Sequence, residues 1–585
     1  MSEEKRTSEQ VERLSNANNA NRPRSLAGVS ANEEDSEVPP GYWTSFGFLG
    51  SCAAILLLAN CLFIGYAMPA NILNVINADI GPSTDVYLVS LINTLIKGVG
   101  LLLVGSISDV VGRRYFIIGG QFCGIVGGII AATAKNINQV IGASVFMGLS
   151  GCAQVLYPLL VQEIVPNKYR GWSQCLITLA VFPTLGLGPA IARSLVQYTV
   201  LGWRWCFWLN VIVCGISLLL FVFCYHPPNF HQLKGDVTRR QQMKRIDYGG
   251  FFLYTGGLVC LLLALSWGGR QYAWKSPQCI SALVIGVLTL IAFVLYETYI
   301  PLPEPLLPMK LFKIRNFWVA CIVGSVGQMS FYALNVLWPT HITALYTTNN
   351  LTVGWMSCTT GAALATGEVI TGPLFKRGGR TKLQMIVSIA GLTLFCGLMA
   401  MSNEHRQNQA IAMTILIGTF VGWVELIAIV VAGLVIPPEN IGSGQAFFAS
   451  SRAVSGTIAT SIYLAIYTNK LNVNLPREVV PAVTGAGLPE TSLTALFAAI
   501  KKATATALDS VPGMDATVKA ALATAQKRAY AESLKTVYLS SVAFGVFALI
   551  VAFLASDVDK YLTGFVNKTV VQGKEKDHDA VDDKV

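Results

Sequence analysis

The sequence predicts an all-α membrane protein with two related halves, and three observations support this prediction. Of the 585 residues, 53% are hydrophobic and only 13% are charged, which is not the composition of an ordinary soluble protein. The apolar residues form many separate runs, each long enough for the roughly 20 residues with which a helix crosses a bilayer. A short cationic turn, Gly105–Arg114, has a weaker copy, Gly372–Arg380, at a matching place in the second half.

Fourteen apolar runs predict transmembrane helices, which we number 1 to 14. Their predicted limits are 47–70, 85–106, 115–134, 138–163, 172–199, 204–225, 248–267, 278–297, 316–340, 351–375, 383–401, 409–435, 441–467 and 536–556. Short turns join most neighbours, and the long connections are 226–246 and 468–534. The second of these contains two amphipathic faces, formed by Leu493, Leu496, Phe497 and Ile500 and by Val518, Ala521, Leu522 and Ala525. Such faces are typical of helices that lie on the membrane surface, and equally of ordinary surface helices.

The basic residues of the turns predict the orientation. Turns after even-numbered helices hold Arg113, Arg114, Lys168, Arg170, Lys234, Arg239, Arg240, Lys244, Arg245, Lys310, Lys313, Arg315, Lys376, Arg377, Arg380 and Lys382. Turns after odd-numbered helices hold Lys135, Arg204, Arg270, Lys275 and Arg406. Because positive charge is retained on the cytoplasmic side, both termini are predicted to be cytosolic and 468–534 to be extracellular. The tails, 1–46 and 557–585, are predicted to be disordered, and helix 1 to be an uncleaved anchor because no secretory signal precedes it.

Asn350-Leu-Thr352 is a candidate glycosylation site that agrees with this orientation, because it falls on the predicted outer side. It also lies close to the membrane, so an unmodified asparagine is an equally good interpretation.

Five ionisable residues lie inside predicted helices: Lys97, Arg193, Glu368, Glu425 and Arg452. A charge at the bilayer centre costs roughly 2.5–3.5 kcal/mol, so such residues generally face a cavity. Glu425 is the first candidate for proton coupling, because removal of a carboxylate from water favours its protonated form. Glu368 is a second candidate, or else a structural partner of a nearby basic residue. Lys97, Arg193 and Arg452 are candidates for charge pairing or substrate binding; Lys97 could instead snorkel, and Arg452 could serve only as the counter-ion of Glu425.

The turn Gly105-Ser-Ile-Ser-Asp109-Val-Val-Gly112-Arg113-Arg114 has a physical interpretation as a gate. Gly105 permits close helix contact and Gly112 a tight turn. Asp109 can pair with Arg113 and with a helix N-terminus of the other half. The motif resembles the signature of the major facilitator superfamily, which implies two six-helix bundles around a central cavity.

This resemblance implies a division into domains. The six-helix bundles would be 47–225 and 316–556, separated by cytosolic linkers and the inserted helices 7 and 8 within 226–315. In such a fold the first, second, fourth and fifth helices of each bundle line the cavity, and all five charges fall on such helices. Polar and aromatic residues complete the candidate binding site: Asn60, Tyr66, Gln154, Tyr157, Gln328, Tyr332 and Asn335. Each of these could alternatively form a helix–helix hydrogen bond.

Helix 5 carries Gly186-Leu-Gly188-Pro189, which resembles the motif that marks exporters in this superfamily. Together with Val165-Pro-Asn-Lys-Tyr-Arg-Gly171 and Gly202-Trp-Arg-Trp-Cys-Phe-Trp-Leu-Asn210, it is similar to the fungal trichothecene efflux pump family, which is close to the siderophore–iron transporters. The resemblance covers about residues 40–565. It implies proton antiport that exports toxins or secondary metabolites at the plasma membrane, with the vacuolar membrane as the alternative.

The sequence therefore predicts a monomeric, proton-coupled exporter of an amphipathic small molecule. Siderophore–iron:proton symport is the near alternative, and a receptor that moves no solute is the remote one. The net charge of +10 lies in turns between apolar runs, which argues against nucleic-acid binding. No Gly-x4-Gly-Lys-Ser/Thr loop is present, which argues against ATP as the energy source. No catalytic residue, cofactor or metal site is predicted, because HExxH, Gly-x-Ser-x-Gly and CxxC are absent.

Overall fold

The structure is a computed structural model that describes residues 44–558, except 82, 84–86, 166–168, 227–246, 269–271, 301, 303–304, 308, 438–439 and 503–510. Nearly all of the predicted tails, 1–46 and 557–585, and most of the linker between helices 6 and 7 therefore lie outside the described residues. For 105–111 only the helical backbone is described.

Each of the fourteen predicted segments is helical. Their bounds are Phe46–Ile64, Tyr87–Val111, Arg113–Ala132, Ile137–Gln154 with Tyr157–Ile164, Arg170–Leu185 with Gly188–Tyr198, Arg204–Phe223, Tyr248–Trp267, Pro277–Tyr299, Arg315–Leu345, Asn350–Gly378, Thr381–Met399, Gln407–Val435, Ile441–Gly485 and Ala516–Ala552. The shorter helices are Ala67–Asn71, Leu73–Ile80 and Leu493–Lys502, with 3-10 turns at Met309–Lys313 and Glu490–Ser492. The prediction of an all-α protein is thus confirmed for the described part of the chain.

Eleven of the described helices are long and apolar enough to cross a membrane. The three predicted helices outside this set are helices 2, 10 and 13, which carry Lys97, Glu368 and Arg452 respectively. For helix 2 the apolar stretch found among the described residues, Leu88–Leu102, is shorter than a span. Helices 10 and 13 carry more polar residues, which a helix facing a polar cavity tolerates better than one facing lipid. The count of fourteen transmembrane helices stays a prediction.

Helices 1, 4 and 5 are interrupted rather than straight. Helix 5 ends at Leu185 and resumes at Gly188, where Pro189 starts the next helical turn, a position that proline tolerates because it needs no N–H donor there. At this break, Gly186 approaches Gly361 of helix 10 so closely that a Cβ atom on Gly361 would overlap the Leu185 carbonyl oxygen. The glycines therefore allow backbone contact between helices of the two predicted bundles.

Helices 13 and 14 extend well beyond their predicted ends. Helix 13 is predicted to end at 467 but ends at Gly485. Helix 14 is predicted to begin at 536 but begins at Ala516. Between them, Leu493–Lys502 packs its apolar face inward to form a separate hydrophobic cluster: Val479, Val483, Leu488, Leu496, Ala499, Val511, Val518, Leu522 and Ala525. We call 468–534 the helical cap. Because its amphipathic faces cover one another, this packing favours ordinary surface helices over membrane-surface helices.

The inserted helix 7 packs against helices 2 and 13, and helix 8 packs against helix 7. Tyr254 of helix 7 is hydrogen-bonded to Ser450 of helix 13, and the Ser450 hydroxyl donates to the Gly98 carbonyl of helix 2 at 2.9 Å. Apolar residues surround this chain of bonds, including Leu258 and Val454. Helix 7 thus covers the contact between helices 2 and 13.

Candidate functional site

A cavity of about 560 Å³ lies among helices 1, 2, 4, 5, 9, 10, 12 and 13, with Leu265 and Gly268 of helix 7 at its edge. These eight helices are the lining helices that the superfamily resemblance implies. Ten of the twelve residues predicted for the binding and coupling site line the cavity: Tyr66, Lys97, Tyr157, Arg193, Gln328, Tyr332, Asn335, Glu368, Glu425 and Arg452. Its volume is that of a small-molecule site.

Asn60 and Gln154, the other two candidates, do not line the cavity. The Asn60 amide donates to the Ala180 carbonyl at 3.3 Å, and its oxygen accepts from Thr184 at 2.9 Å, which joins helix 1 to helix 5. The Gln154 amide donates to Gln121 at 3.1 Å inside the first bundle. Both side chains form the helix–helix hydrogen bonds that were the alternative interpretation.

Glu425 and Arg452 form a buried ion pair between helices 12 and 13, with 2.9 Å between Arg452 Nη2 and Glu425 Oε2. The same Nη2 donates to Gln328 Oε1 at 2.6 Å, and the guanidinium lies over the ring of Phe448. Glu425 Oε1 is buried without a hydrogen-bond partner within the described residues. One carboxylate oxygen is therefore held by the cation while the other has no donor.

Glu368 lies on helix 10 and accepts a hydrogen bond from Thr178 of helix 5, so this contact crosses between the predicted bundles. No ion pair to Glu368 is found in the part of the chain that the structure describes, although the charges of Glu425 and Arg452 are close enough to act on it. The carboxylate is thus placed at the bundle interface rather than beside a basic loop residue.

Lys97 of helix 2 is 7% exposed and lies in the cavity wall. Its ammonium is 4.5 Å from the ring centroid of Tyr66, and its alkyl chain packs so closely on Gly151 that a Cβ there would collide with it. Lys97 has no hydrogen bond or ion pair to any residue of the described chain. The geometry differs from snorkelling, in which the ammonium reaches the membrane surface.

Arg193 lies close to the end of helix 5 and the start of helix 10, away from the middle of the membrane. Its guanidinium donates to the side chain of Asn350, the first residue of helix 10, and to the Asn71 carbonyl at 3.4 Å. Asn350 is half-buried in this contact, and its glycosylation stays a prediction. Arg193 therefore links the two predicted bundles at the end of the cavity that is predicted to be outermost.

The two cationic turns share a backbone feature. Gly112 has φ +96° and Gly379 has φ +48°, a conformation that glycine adopts at little cost. Arg114 donates to the carbonyls of Phe221 and Val222, at the C-terminal end of helix 6, which favours a cation. The side chains of residues 105–111, among them Asp109, are not described by the structure. The proposed Asp109–Arg113 gate therefore stays a prediction.

Sequence reasoning missed Thr178, the partner of Glu368, and the aromatic residues Phe331 and Phe448 of the cavity wall. A threonine or phenylalanine in an apolar helix is common, so neither residue type stands out. These residues could have been identified only by knowing which face of each helix lines the cavity.

The arrangement of the helices around the cavity is that of the major facilitator fold. A solved structure of the major facilitator superfamily, the proton:xylose symporter XylE, has a TM-score of 0.51 at 15% identity and covers 72% of this chain and 90% of its own. At this identity the likeness shows the fold alone.

Residues 7–585 match the family model of the fungal trichothecene efflux pump. The trichothecene efflux pump TRI12 of Trichoderma arundinaceum is 32% identical over 559 residues, which covers 93% of this chain and 92% of that protein. The pump of the same name from Fusarium sporotrichioides is 29% identical over 553 residues, covering 94% and 92%. The chain therefore belongs to the fungal trichothecene efflux pump family.

Proposed function

We propose that this protein is a proton-driven exporter of an amphipathic fungal metabolite or toxin across the plasma membrane. Its relatives are named efflux pumps, which gives no support to siderophore uptake. The observation that carries the proposal is the buried Glu425–Arg452 pair in the wall of a cavity between two helix bundles. A cavity of this kind without a titratable group could bind a solute but could not couple its movement to protons.

The ion pair suggests how a proton would act. A proton that arrives on Glu425 removes the negative charge of the pair, while Arg452 keeps its hydrogen bond with Gln328. The interaction between helices 12 and 13 is then weaker, because Arg452 keeps its charge but loses the attraction of the opposite charge on Glu425. Loss of the proton restores the pair.

Glu368 supplies a second titratable contact, this time between the bundles. Thr178 donates to its carboxylate across the interface of helices 5 and 10. A change of charge on Glu368 alters this bond, so protonation there would act directly on the contact that must change when the cavity opens to the other side. The membrane potential alone supplies about 2.3 kcal/mol per charge per 100 mV for such a cycle.

The orientation and the assembly belong to the same proposal. The distribution of basic residues supports a topology in which both termini are cytosolic and the helical cap lies outside. The cavity is enclosed by helices of one chain, so a monomer can transport.

The experiment measures resistance to a trichothecene and its efflux in a yeast strain without its own drug pumps. Expression of this protein is expected to give efflux that a protonophore abolishes, and Glu425→Gln is expected to remove that efflux at normal surface levels. Glu532→Gln, an exposed carboxylate of the cap region, is the matched control and should export normally. Efflux that survives both the protonophore and Glu425→Gln would show that the energy does not come from protons.

A further inference from the structure

One charge of the cavity wall has no counter-charge. The charged residues of the wall are Lys97, Arg193, Arg452, Glu368 and Glu425. Both carboxylates and both arginines have polar partners within the described residues. Lys97 has no hydrogen bond or ion pair to any residue of the described chain. The described wall therefore carries three positive side chains against two negative ones, and the excess positive charge is that of Lys97.

The position of Lys97 is fixed by its neighbours. Its side chain is 7% exposed, and its alkyl part packs on Gly151 of helix 4, where a Cβ atom would collide with it. The ammonium lies 4.5 Å from the ring centroid of Tyr66, which also lines the cavity. An aromatic face attracts a cation but provides no acceptor atom for its N–H groups. These N–H groups are therefore available to a ligand in the cavity.

A fixed positive charge in such a wall separates ligands by their own charge. Repulsion between two like charges inside a protein weakens binding by about tenfold to hundredfold. Glu425 does not offset this repulsion, because Arg452 already balances its charge at 2.9 Å. Protonation of Glu368 or Glu425 in the proposed cycle makes the wall more positive still. An uncharged ligand with an acceptor oxygen instead gains a hydrogen bond from an ammonium that has lost most of its water.

We infer that Lys97 sets the charge selectivity of the cavity: its ammonium repels lipophilic cations and donates a hydrogen bond to an acceptor oxygen of an uncharged substrate. This inference rests on the proposed transport function and narrows its amphipathic substrates to uncharged, oxygen-bearing molecules. The apolar body of such a substrate would lie against Phe331, Tyr332 and Phe448, which line the same cavity.

Binding to the purified full-length protein in detergent, measured by titration calorimetry, tests the inference with triphenylphosphine oxide and the methyltriphenylphosphonium cation as probes. Both carry three phenyl groups on phosphorus, but the oxide has an uncharged acceptor oxygen where the cation has a methyl group. Wild type is expected to bind the oxide at least about tenfold more tightly than the cation. Lys97→Met should weaken binding of the oxide by about tenfold and strengthen binding of the cation by about tenfold to hundredfold. Lys97→Arg, which keeps the charge, should keep the preference for the oxide.

Lys135→Met, at an exposed lysine in the turn between helices 3 and 4, is the control and should bind both probes like wild type. Equal affinity of wild type for the two probes would overturn the inference without any variant. Weaker binding of both probes in Lys97→Met would also overturn it, because Lys97 would then only shape the cavity. The assay uses no proton gradient, so a preference for the oxide without proton-driven efflux would reject the proposed energy source and leave this inference standing.

Discussion

At the scale of single residues, Glu425 and Arg452 hold opposite charges at a depth where neither would be stable alone. The free energy needed to take two charges out of water often exceeds the free energy of their attraction. Removal of one partner, however, leaves the other charge buried and unpaired. A buried pair is therefore weak support for a purely stabilising role. The proposed proton cycle, in which the charge of Glu425 is neutralised and restored, would give the pair a function.

This asymmetry predicts the behaviour of single and double variants. Arg452→Met is expected to lower the free energy of unfolding by about 3–5 kcal/mol, because Glu425 is left buried without its cation. The double variant Glu425→Gln/Arg452→Met should recover most of that loss but should not export. Denaturation in detergent, followed by circular dichroism, measures the stability. A double variant less stable than Arg452→Met would show that the pair is mainly structural.

Thr178 gives a second prediction at this scale. Thr178→Val keeps the shape of the side chain but removes the donor to Glu368, and an unmade hydrogen bond of a buried group costs about 1–3 kcal/mol. Export is expected to slow at least severalfold, whereas Thr178→Ser, which keeps the hydroxyl, should stay close to wild type. Initial efflux rates at equal surface expression provide the measurement. Normal rates in Thr178→Val would mean that the contact between the bundles does not depend on this bond.

At the scale of helices, the break in helix 5 brings its backbone against helix 10. Gly361→Ala would place a methyl group on the Leu185 carbonyl oxygen, and such overpacking costs about 1–3 kcal/mol. Gly215→Ala is the matched control, since a Cβ at Gly215 meets no atom within 4 Å and alanine favours a helix by up to about 1 kcal/mol. Melting temperatures should fall for the first variant and not for the second. Equal melting temperatures would indicate that the helices can separate at this crossing without loss.

The helices also show where sequence reasoning succeeded and where it stopped. Hydrophobic runs predicted all fourteen helical segments, because burial in lipid or in a bundle demands apolar residues in each of them. The same rule misplaced the ends of helices 13 and 14, since polar residues such as Asn469 and Lys470 end an apolar run without ending a helix. Lys97 and Glu425 could be proposed for the cavity because charge is costly in a membrane. The sequence could not show that Asn60 and Gln154 lie outside the cavity wall, because an amide side chain is equally suited to a binding site and to a hydrogen bond between helices.

At the scale of the whole molecule, the two halves share an order of six helices but carry different side chains in the cavity. Gly112 and Gly379 take the same kind of backbone conformation at equivalent helix junctions, which supports duplication of an ancestral bundle. The charges are not duplicated: the cavity carboxylates Glu368 and Glu425 both lie in the second half, and Lys97 lies in the first. The two halves thus share a fold but differ in the charges that they contribute to the cavity.

The predicted orientation can be tested on the intact protein. An epitope tag inserted at 503–510, between two segments of the helical cap, is expected to react with antibody on unpermeabilised cells, and a tag after Val585 only after permeabilisation. The reason is the excess of lysine and arginine in the turns after even-numbered helices, which are retained in the cytosol. Staining of the C-terminal tag on intact cells would reverse the assignment of inside and outside.

Helix 13 connects the charged cavity wall with the helical cap. From Ile441 to Gly485 it is one helix of 45 residues, roughly 65–70 Å at 1.5 Å per residue, which carries Arg452 in the cavity wall and ends within the helical cap. Pro476 and Pro481 lie in its last part, where a helix bends more easily. A tilt of the part before Pro476 would therefore move Arg452 and the start of the cap together. If the cap lies outside the cell, as proposed, a protein or peptide that binds it would restrain helix 13 from the extracellular side.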